Sequence, residues 1–315
     1  MLPKYSHRTR YFLGNLILRI NQTYFRPGRK LASLGLLMKE GIFSCSICAP
    51  FMSYVGGWNW YNGSMKKIAV FDLDGTVYTH TLTFDVVEEL LQDSKFSEER
   101  KSVELAKHEW RKREATESYW VYNKKVLDVF ERITPQVTPQ QMKIAIENVL
   151  SRKGKYCYVY TTSLIDALKK EGRLMIAISG SIKNIVEPFA LALGFDIIVS
   201  SELEVIDGVF TGKRSSQTNT NKDQLLRDVV EKNNATLEDS VGAGDTHRDI
   251  SMLSLLQNPI AFNPNSALYD EAVKKGWKIV IERKNMIYEM VKKADGYVLE
   301  NAHPSRGEEH QEHLR

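Results

Sequence analysis

The sequence predicts a doubly wound α/β fold, a parallel sheet with helices on both faces, carrying an inserted helical bundle and preceded by a basic extension. Three observations predict it. From residue 66 onward, short β-branched runs alternate with helix-length amphipathic stretches. One interval, residues 84–160, breaks that alternation and is helical in pattern almost throughout. Acidic and hydroxyl residues gather where successive strands end, the edge at which open α/β sheets bind ligands.

The elements follow in order. Residues 68–71 form a buried strand, closed by the turn Asp72-Leu73-Asp74-Gly75-Thr76. In the helical interval, Thr134-Pro135 and Thr138-Pro139 separate helices, since proline is tolerated in a first helical turn but not inside one. Its aromatics Trp110, Tyr119, Trp120, Tyr122 and Phe130 suit the core of a bundle. Because the bundle follows the first strand directly, it is expected to lie over the carboxyl edge of the sheet as a lid. Further strands are expected at 174–178, 197–199, 240–241 and 260–262, with 278–281 as an added edge. Helices are expected at 183–193, 222–232, 247–256 and 266–275. Asp207-Gly208, set between apolar residues, reads as a β-hairpin turn. The polar stretch 302–315 reads as a fraying tail. The resulting division is an extension over 1–64, a core over 65–83 and 161–301, a cap over 84–160 and a tail over 302–315.

With 43% hydrophobic residues in 315, the chain has ample core and is no disordered segment. Three cysteines, Cys45, Cys48 and Cys157, build no disulfide framework, so a reducing, cytoplasmic setting is expected. The net charge of +4 conceals two unlike parts. Residues 1–64 hold eight basic residues and one acid, Glu40, whereas the remainder holds 35 basic and 38 acidic residues. Four readings of the basic extension stay open: an Arg-rich targeting peptide, a membrane-associated segment, a packed helical accessory, and a start-site artefact with Met65 as the natural beginning. Membrane association is expected only through this extension. Cys45-Ser46-Ile47-Cys48 has no second pair and no nearby histidine, so it reads as two small residues in an apolar run. Nucleic acid is not an expected partner, because the body is acidic and the extension holds no recognisable binding module.

The chemistry gathers at strand ends. The first strand delivers Asp72 and Asp74, the second Ser179-Gly180-Ser181, and the fourth Gly242-Ala243-Gly244-Asp245 with Asp249 close behind; Lys222 opens a helix. Clustered carboxylates stay ionised together only if a cation offsets them, which implies a hard divalent ion. With no His/Cys set available, Mg²⁺ is favoured over zinc.

Asp72-Leu73-Asp74-Gly75-Thr76 resembles the first motif of the haloacid dehalogenase (HAD) superfamily, Ile178-Ser179-Gly180-Ser181 its second, Lys222 its third, and Gly242 to Asp249 its fourth. The helical insertion is similar to the cap of the phosphoserine-phosphatase-like subfamily (IB). The resemblance spans residues 66 to about 295 and leaves out the basic extension. It implies a HAD-type Rossmannoid core and a Mg²⁺-dependent phosphomonoester hydrolase acting on a small phosphorylated metabolite. By the same resemblance, Asp72 is the nucleophile that forms an aspartyl-phosphate, and Asp74 is the general acid and then general base. Ser179, Gly180 and Lys222 bind the phosphoryl group; Asp72, Asp74 through its carbonyl, and Asp245 hold the metal; Asp249 orients a metal-bound water. Lys213 competes with Lys222 for the third motif, and Asp249 also reads as a first-turn acid facing a helix dipole. Arg248 either reaches a substrate anion or points to solvent. Phosphoserine-specific members place an acid on the flap after the second aspartate, whereas residues 77–83 hold none here. A phosphotransferase using the same intermediate, and a non-catalytic interaction protein on the same fold, are the alternatives.

A chain beginning at Met65 is expected to fold and remain monodisperse, because every motif lies after it. Aggregation or early melting of that shortened chain, followed by light scattering, would show instead that residues 12–58 cover apolar surface of the body.

Overall fold

A computed structural model describes residues 65–112, 118–214 and 221–305, all within the unit Gly63–Arg315. Residues 1–64, with Cys45 and Cys48, and residues 306–315 of the expected tail lie outside the described residues. In chain order the strands are β1 (Lys66–Phe71), β2 (Leu174–Ile182), β3 (Ile197–Ser201), β4 (Leu203–Ile206), β5 (Val209–Arg214), β6 (Ala235–Gly244), β7 (Asn258–Phe262), β8 (Lys278–Arg283), β9 (Met286–Lys293) and β10 (Gly296–Pro304). The helices are α1 (Leu82–Leu90), α2 (Ser97–Lys112), α3 (Ser118–Ile133), α4 (Pro139–Lys153), α5 (Val159–Lys170), α6 (Lys183–Ala192), α7 (Lys222–Lys232), α8 (Ile250–Leu253) and α9 (Ser266–Lys275). Among the described residues no helix is long and apolar enough to cross a membrane.

The main sheet runs β10-β9-β8-β7-β6-β1-β2-β3, and β4 and β5 form a separate hairpin. The central strand β1 pairs in parallel with β2 on one side and β6 on the other. Successive residues of a strand face opposite ways, and here both faces are covered. Ile68 and Val70 pack with Leu226, Met252, Leu268 and Trp277, whereas Ala69 and Phe71 pack in the cluster that reaches the bundle residues Val126, Phe130 and Met142. That two-sided burial is what makes the sheet doubly wound.

The bundle α1–α4 follows β1 as expected. Thr138 caps α4, accepting from the Gln141 amide while the Gln141 side chain accepts from the Thr138 amide, so proline at the next position costs no hydrogen bond. The chain returns to the core at α5, whose first amides, of Val159 and Tyr160, both donate to the carboxylate of Glu282 on β8.

Three expectations need correction. The segment 278–281 is not an edge: β8 pairs antiparallel with β9, and β9 with β10. Lysines and glutamates interleave the apolar residues of this ribbon, so its sequence reads as solvated, yet Tyr297 fastens it by donating to the carbonyls of Ala272 and Trp277. The tail therefore begins later than 302, since Ala302, His303 and Pro304 pair with Tyr288, Ile287 and Met286, and the Ser305 amide donates to Asn285. The helix expected over 247–256 is a 3₁₀ turn, His247–Asp249, followed by the short α8. Asp249 folds back to accept from the amides of Asp245 and Thr246, closing a capping box with Thr246 at the start of this turn.

Asp85 fastens the bundle to the segment after β1. It accepts from the Tyr78 hydroxyl at 2.6 Å, pairs with Lys153, and faces His80 at 3.7 Å. Burial alone would raise its pKa, but the bonds from His80, Lys153 and Tyr78 prevail and hold it at about 2. A depressed carboxylate stabilises above its unfolded pKa and loses that contribution as pH falls toward the folded value. Wild-type stability should accordingly fall by about 2 kcal/mol from this group between about pH 4 and pH 2. Asp85→Asn should flatten that part of the profile in urea unfolding; an unchanged acid limb would refute the assignment.

Candidate active site

The first strand ends in a turn that the fold constrains closely. The Asp72 amide donates to Ala243 O at 3.0 Å, extending the β1–β6 pairing one residue past the strand, so Asp72 emerges at the carboxyl edge of the sheet. The chain then turns sharply at Gly75, whose φ of +84° suits glycine. A Cβ there would stand 2.2 Å from Asp245 Oδ2. Glycine thus lets the turn after β1 approach the turn after β6.

Lys222, the first residue of α7, is 2% exposed. Its ammonium donates to Asp72 Oδ1 at 2.6 Å, Asp249 Oδ1 at 2.7 Å and Ile178 O at 3.0 Å. Three protons meet three acceptors, so the buried charge is fully satisfied. Burial would lower its pKa, but Asp249 and Asp72 outweigh that and raise it. Lys213 lies on the exposed hairpin strand β5, so Lys222 is the lysine brought to the carboxylates.

Asp249 is 1% exposed, and both its oxygens are engaged. Oδ1 meets Lys222, and Oδ2 accepts from the amides of Asp245 and Thr246 and from the Thr246 hydroxyl. Asp245 is held less tightly, with the Thr76 hydroxyl 3.4 Å from its Oδ1. Asp74 Oδ1 accepts from the Leu82 amide at 2.7 Å; its Oδ2 accepts from the Ser181 hydroxyl and faces that of Ser179 at 3.5 Å.

Pairing of β2 with β3 slips between Ser179 and Ile182, leaving Gly180 and Ser181 as extra residues on the β2 side. Gly180 and Ser181 line the cavity beside Asp72, Asp74, Lys222 and Asp245. Ser179 is fully buried just beneath, its hydroxyl accepting from the Ser181 amide. Ser181, to which the sequence motif assigns no role, is therefore the hydroxyl closest to Asp74. Its position two residues past Ser179 is the available signal.

One oxygen from each of Asp72, Asp245 and Asp249 lies within 4.8 Å of the others. Burial pushes the Asp245 carboxyl well above the usual range, and the charges of Asp72 and Asp249 add to this. Burial likewise raises Asp72 and Asp74, against Lys222 for the first and the Ser181 and Leu82 hydrogen bonds for the second. Four carboxylates share a single ammonium, and the donors are all oxygens. This donor set fits a hard divalent cation, with Asp72 and Asp245 the ones whose oxygens are not fully claimed.

Above the site lies a cavity of about 620 Å³ between the sheet edge and the bundle. Trp110, Tyr119, Trp120 and Tyr122 line it, so these aromatics are not only packing. Trp120 is 40% exposed, which corrects its expected place in the bundle core. Arg248 also lines the cavity, where its guanidinium lies 5.7 Å from the Trp120 ring centroid. Arg214 at the end of β5 is a further lining residue; it stands beyond the hairpin turn, where no sequence motif marks it.

The core thus carries aspartates at the ends of β1 and β6, a buried lysine between them and a helical insertion after β1. The chain belongs to the haloacid dehalogenase-like hydrolase family, which matches residues 69–254. It is 34% identical over 110 residues to a phosphoserine phosphatase, SerB2, of Mycobacterium tuberculosis, covering 34% of this chain and 27% of that one. It is 23% identical over 223 residues to a phosphoserine phosphatase of Methanocaldococcus jannaschii, covering 70% of this chain and 94% of that one. A crystal structure of a Bordetella pertussis protein of unknown function shares the fold, with a TM-score of 0.57 and 18% identity over 70% of this chain and 99% of that one. The aligned regions span 27% to 52% of the first curated relatives' lengths.

Gly75→Ala should cost about 1–3 kcal/mol and displace Asp245, because the left-handed φ and the close carboxylate oppose a side chain together. Urea unfolding and divalent-cation titration would check this. Unchanged stability with unchanged cation affinity would contradict the close approach of the two turns.

Proposed function

We propose that the chain is a Mg²⁺-dependent phosphatase that hydrolyses a small phosphomonoester through an aspartyl-phosphate on Asp72. The observation that carries this is the pairing of unlike aspartates on one turn. Burial raises both carboxyls, but Asp72 is bound by the Lys222 ammonium at 2.6 Å, whereas Asp74 is held by the neutral Leu82 amide and Ser181 hydroxyl. The one in contact with a cation is suited to act as an anion and the other to carry a proton.

In the first step an oxygen of Asp72 attacks phosphorus, forming the acyl-phosphate bond as the ester P–O bond breaks. Asp74 gives its proton to the departing alkoxide. In the second step Asp74, now a carboxylate, takes a proton from water as that water attacks phosphorus, releasing phosphate and restoring Asp72. Lys222 and the Gly180–Ser181 segment face the phosphoryl oxygens and offset their charge, with Ser179 fixing that segment from below. Asp72, Asp245 and the Asp74 carbonyl would hold Mg²⁺, which when bound neutralises charge on the transferring phosphoryl group. Asp249, with both oxygens engaged, positions Lys222 and the Asp245 turn. The bundle acts as a lid that keeps bulk water from the intermediate.

Several relatives are named phosphoserine phosphatases, which supports a small phosphorylated substrate. Phosphoserine itself is disfavoured here. Residues 77–83 hold no acid for its ammonium, and Asp85, the next acid, is already taken by Tyr78 and Lys153.

Asp72→Asn should abolish p-nitrophenyl phosphate hydrolysis with little change in thermal unfolding, and EDTA should silence the wild type until Mg²⁺ is restored. Undiminished turnover by the Asn variant, or by chelated protein, would overturn the proposal.

A further inference from the structure

The cavity balances its charges at one end and not at the other. Toward α1 and α4 each lysine meets an acid: Lys107 pairs with Glu88, and Lys153 with Asp85. Toward the hairpin, Arg214 and Arg248 stand with no acid at hydrogen-bond distance from Arg214 Nε among the described residues. The Arg214 side chain is 14% exposed, and its buried Nε has no hydrogen-bond partner among the described residues. The Glu131 carboxylate stands 4.0 Å from that Nε, beyond hydrogen-bond reach, and is itself half exposed. Arg248 enters the same cavity from the turn after β6, its guanidinium set near the face of Trp120.

Two guanidiniums on one cavity wall repel each other. Burial lowers the Arg214 pKa; Glu131 opposes that, and the Arg248 charge adds to it. Such an arrangement is unfavourable on its own and is relieved by an anion between the two. The guanidinium fork matches carboxylate and phosphate oxygens, and an unsatisfied buried N–H strengthens the preference for an acceptor. A cavity of about 620 Å³ is also much larger than one phosphoryl group needs.

We propose that Arg214 and Arg248 form a subsite for a second anionic group, so that the substrates are phosphomonoesters whose alcohol portion ends in a carboxylate or a second phosphate. That such compounds are substrates rests on the phosphatase reading above; the binding preference does not. Asp85 and Glu88, the acids that would meet an amine, are neutralised by their lysines, so ammonium-ended compounds gain nothing from this cavity.

The test uses alkylphosphonates of about three to six carbons ending in methyl, carboxylate, phosphonate or ammonium, titrated by calorimetry into the full chain with Mg²⁺. An anionic terminus should bind about tenfold or more tighter than methyl, as one charge-assisted hydrogen-bonded pair implies. Arg214→Gln and Arg248→Gln should each collapse that ratio, and Arg248→Lys should keep part of it. Arg248 is exposed, so its variants stay informative if Arg214→Gln fails to fold. Whether the carboxylate or the phosphonate terminus gains more identifies the anion. Equal affinity across termini in the wild type, or a preference that survives both Arg248 substitutions undiminished, overturns the subsite. Phosphonates are not hydrolysed, so the binding result is independent of turnover. No hydrolysis of p-nitrophenyl phosphate with the preference intact would remove the phosphatase reading and leave the subsite standing.

Discussion

The buried Lys222 ammonium is the interaction on which the site's architecture depends. It reaches from the start of α7 to the end of β1, the Ile178 carbonyl within β2 and the turn after β6. No two of these segments are neighbours in sequence, yet all four converge on one nitrogen. Burying an ammonium is unfavourable by several kcal/mol unless its protons are all met, so the segments have little freedom to move apart. The same nitrogen offsets the burial of Asp72 and Asp249, which are only 7% and 1% exposed. Asp245, which Lys222 does not touch, is the acid left to bear the full cost of burial. A divalent cation would complete a charge balance that the protein has already half built.

Around that point the molecule divides its labour. The strand-end turns hold the carboxylates at fixed separations, because β1, β2 and β6 are paired to one another and covered on both faces. The bundle is attached to them at a few polar points: Asp85 with Tyr78 and Lys153, and the first amides of α5 with Glu282. A layer joined to the core at its ends can vary its inner surface without disturbing the carboxylates beneath. On the functional reading proposed here, chemistry resides in the sheet edge and selectivity in the surfaces above it.

Much of this was legible in the sequence, for physical reasons that also explain what was not. Residues 68–71 must be a central strand because four consecutive apolar residues are useful only where both faces are buried. Asp72, Asp74, Lys222, Asp245 and Asp249 were visible because acids and a lysine at strand ends have no packing purpose. The β9–β10 ribbon was missed although Asp295-Gly296 stands at its turn, because the lysines and glutamates that interleave its apolar residues made it read as solvated. The 3₁₀ turn at 247–249 was hidden because Thr246 and Asp249 form a capping box, a sequence pattern that marks a helical start without telling a 3₁₀ first turn from an α-helical one. Trp120 was misread for a more general reason. Helical spacing places Trp120 and Tyr122 on the bundle but does not tell a core-facing position from a cavity-facing one.

Arg214 shows where reading from motifs ends. It lies on a hairpin outside the main sheet, whose position is set by contact with the bundle: a Cβ at Gly212 would stand 2.3 Å from the Glu131 carbonyl. That closeness presses the end of β5 against the last turn of α3 and brings Arg214 to the cavity wall beside Arg248. Neither arginine is explained by packing, since one is exposed and the other keeps a buried N–H unmet among the described residues. Elsewhere around the cavity the lysines of α2 and α4 are neutralised by Glu88 and Asp85, which shows that acids can be supplied to its wall. Two arginines on one wall, with only the distant Glu131 set against Arg214 among the described residues, favour the proposed reading of a ligand that brings negative charge. On the functional reading proposed here, the phosphoryl group alone would not meet that requirement, because Lys222 and a bound cation would answer its charge at the floor. The balance therefore points to an anion at the opposite end of the same molecule.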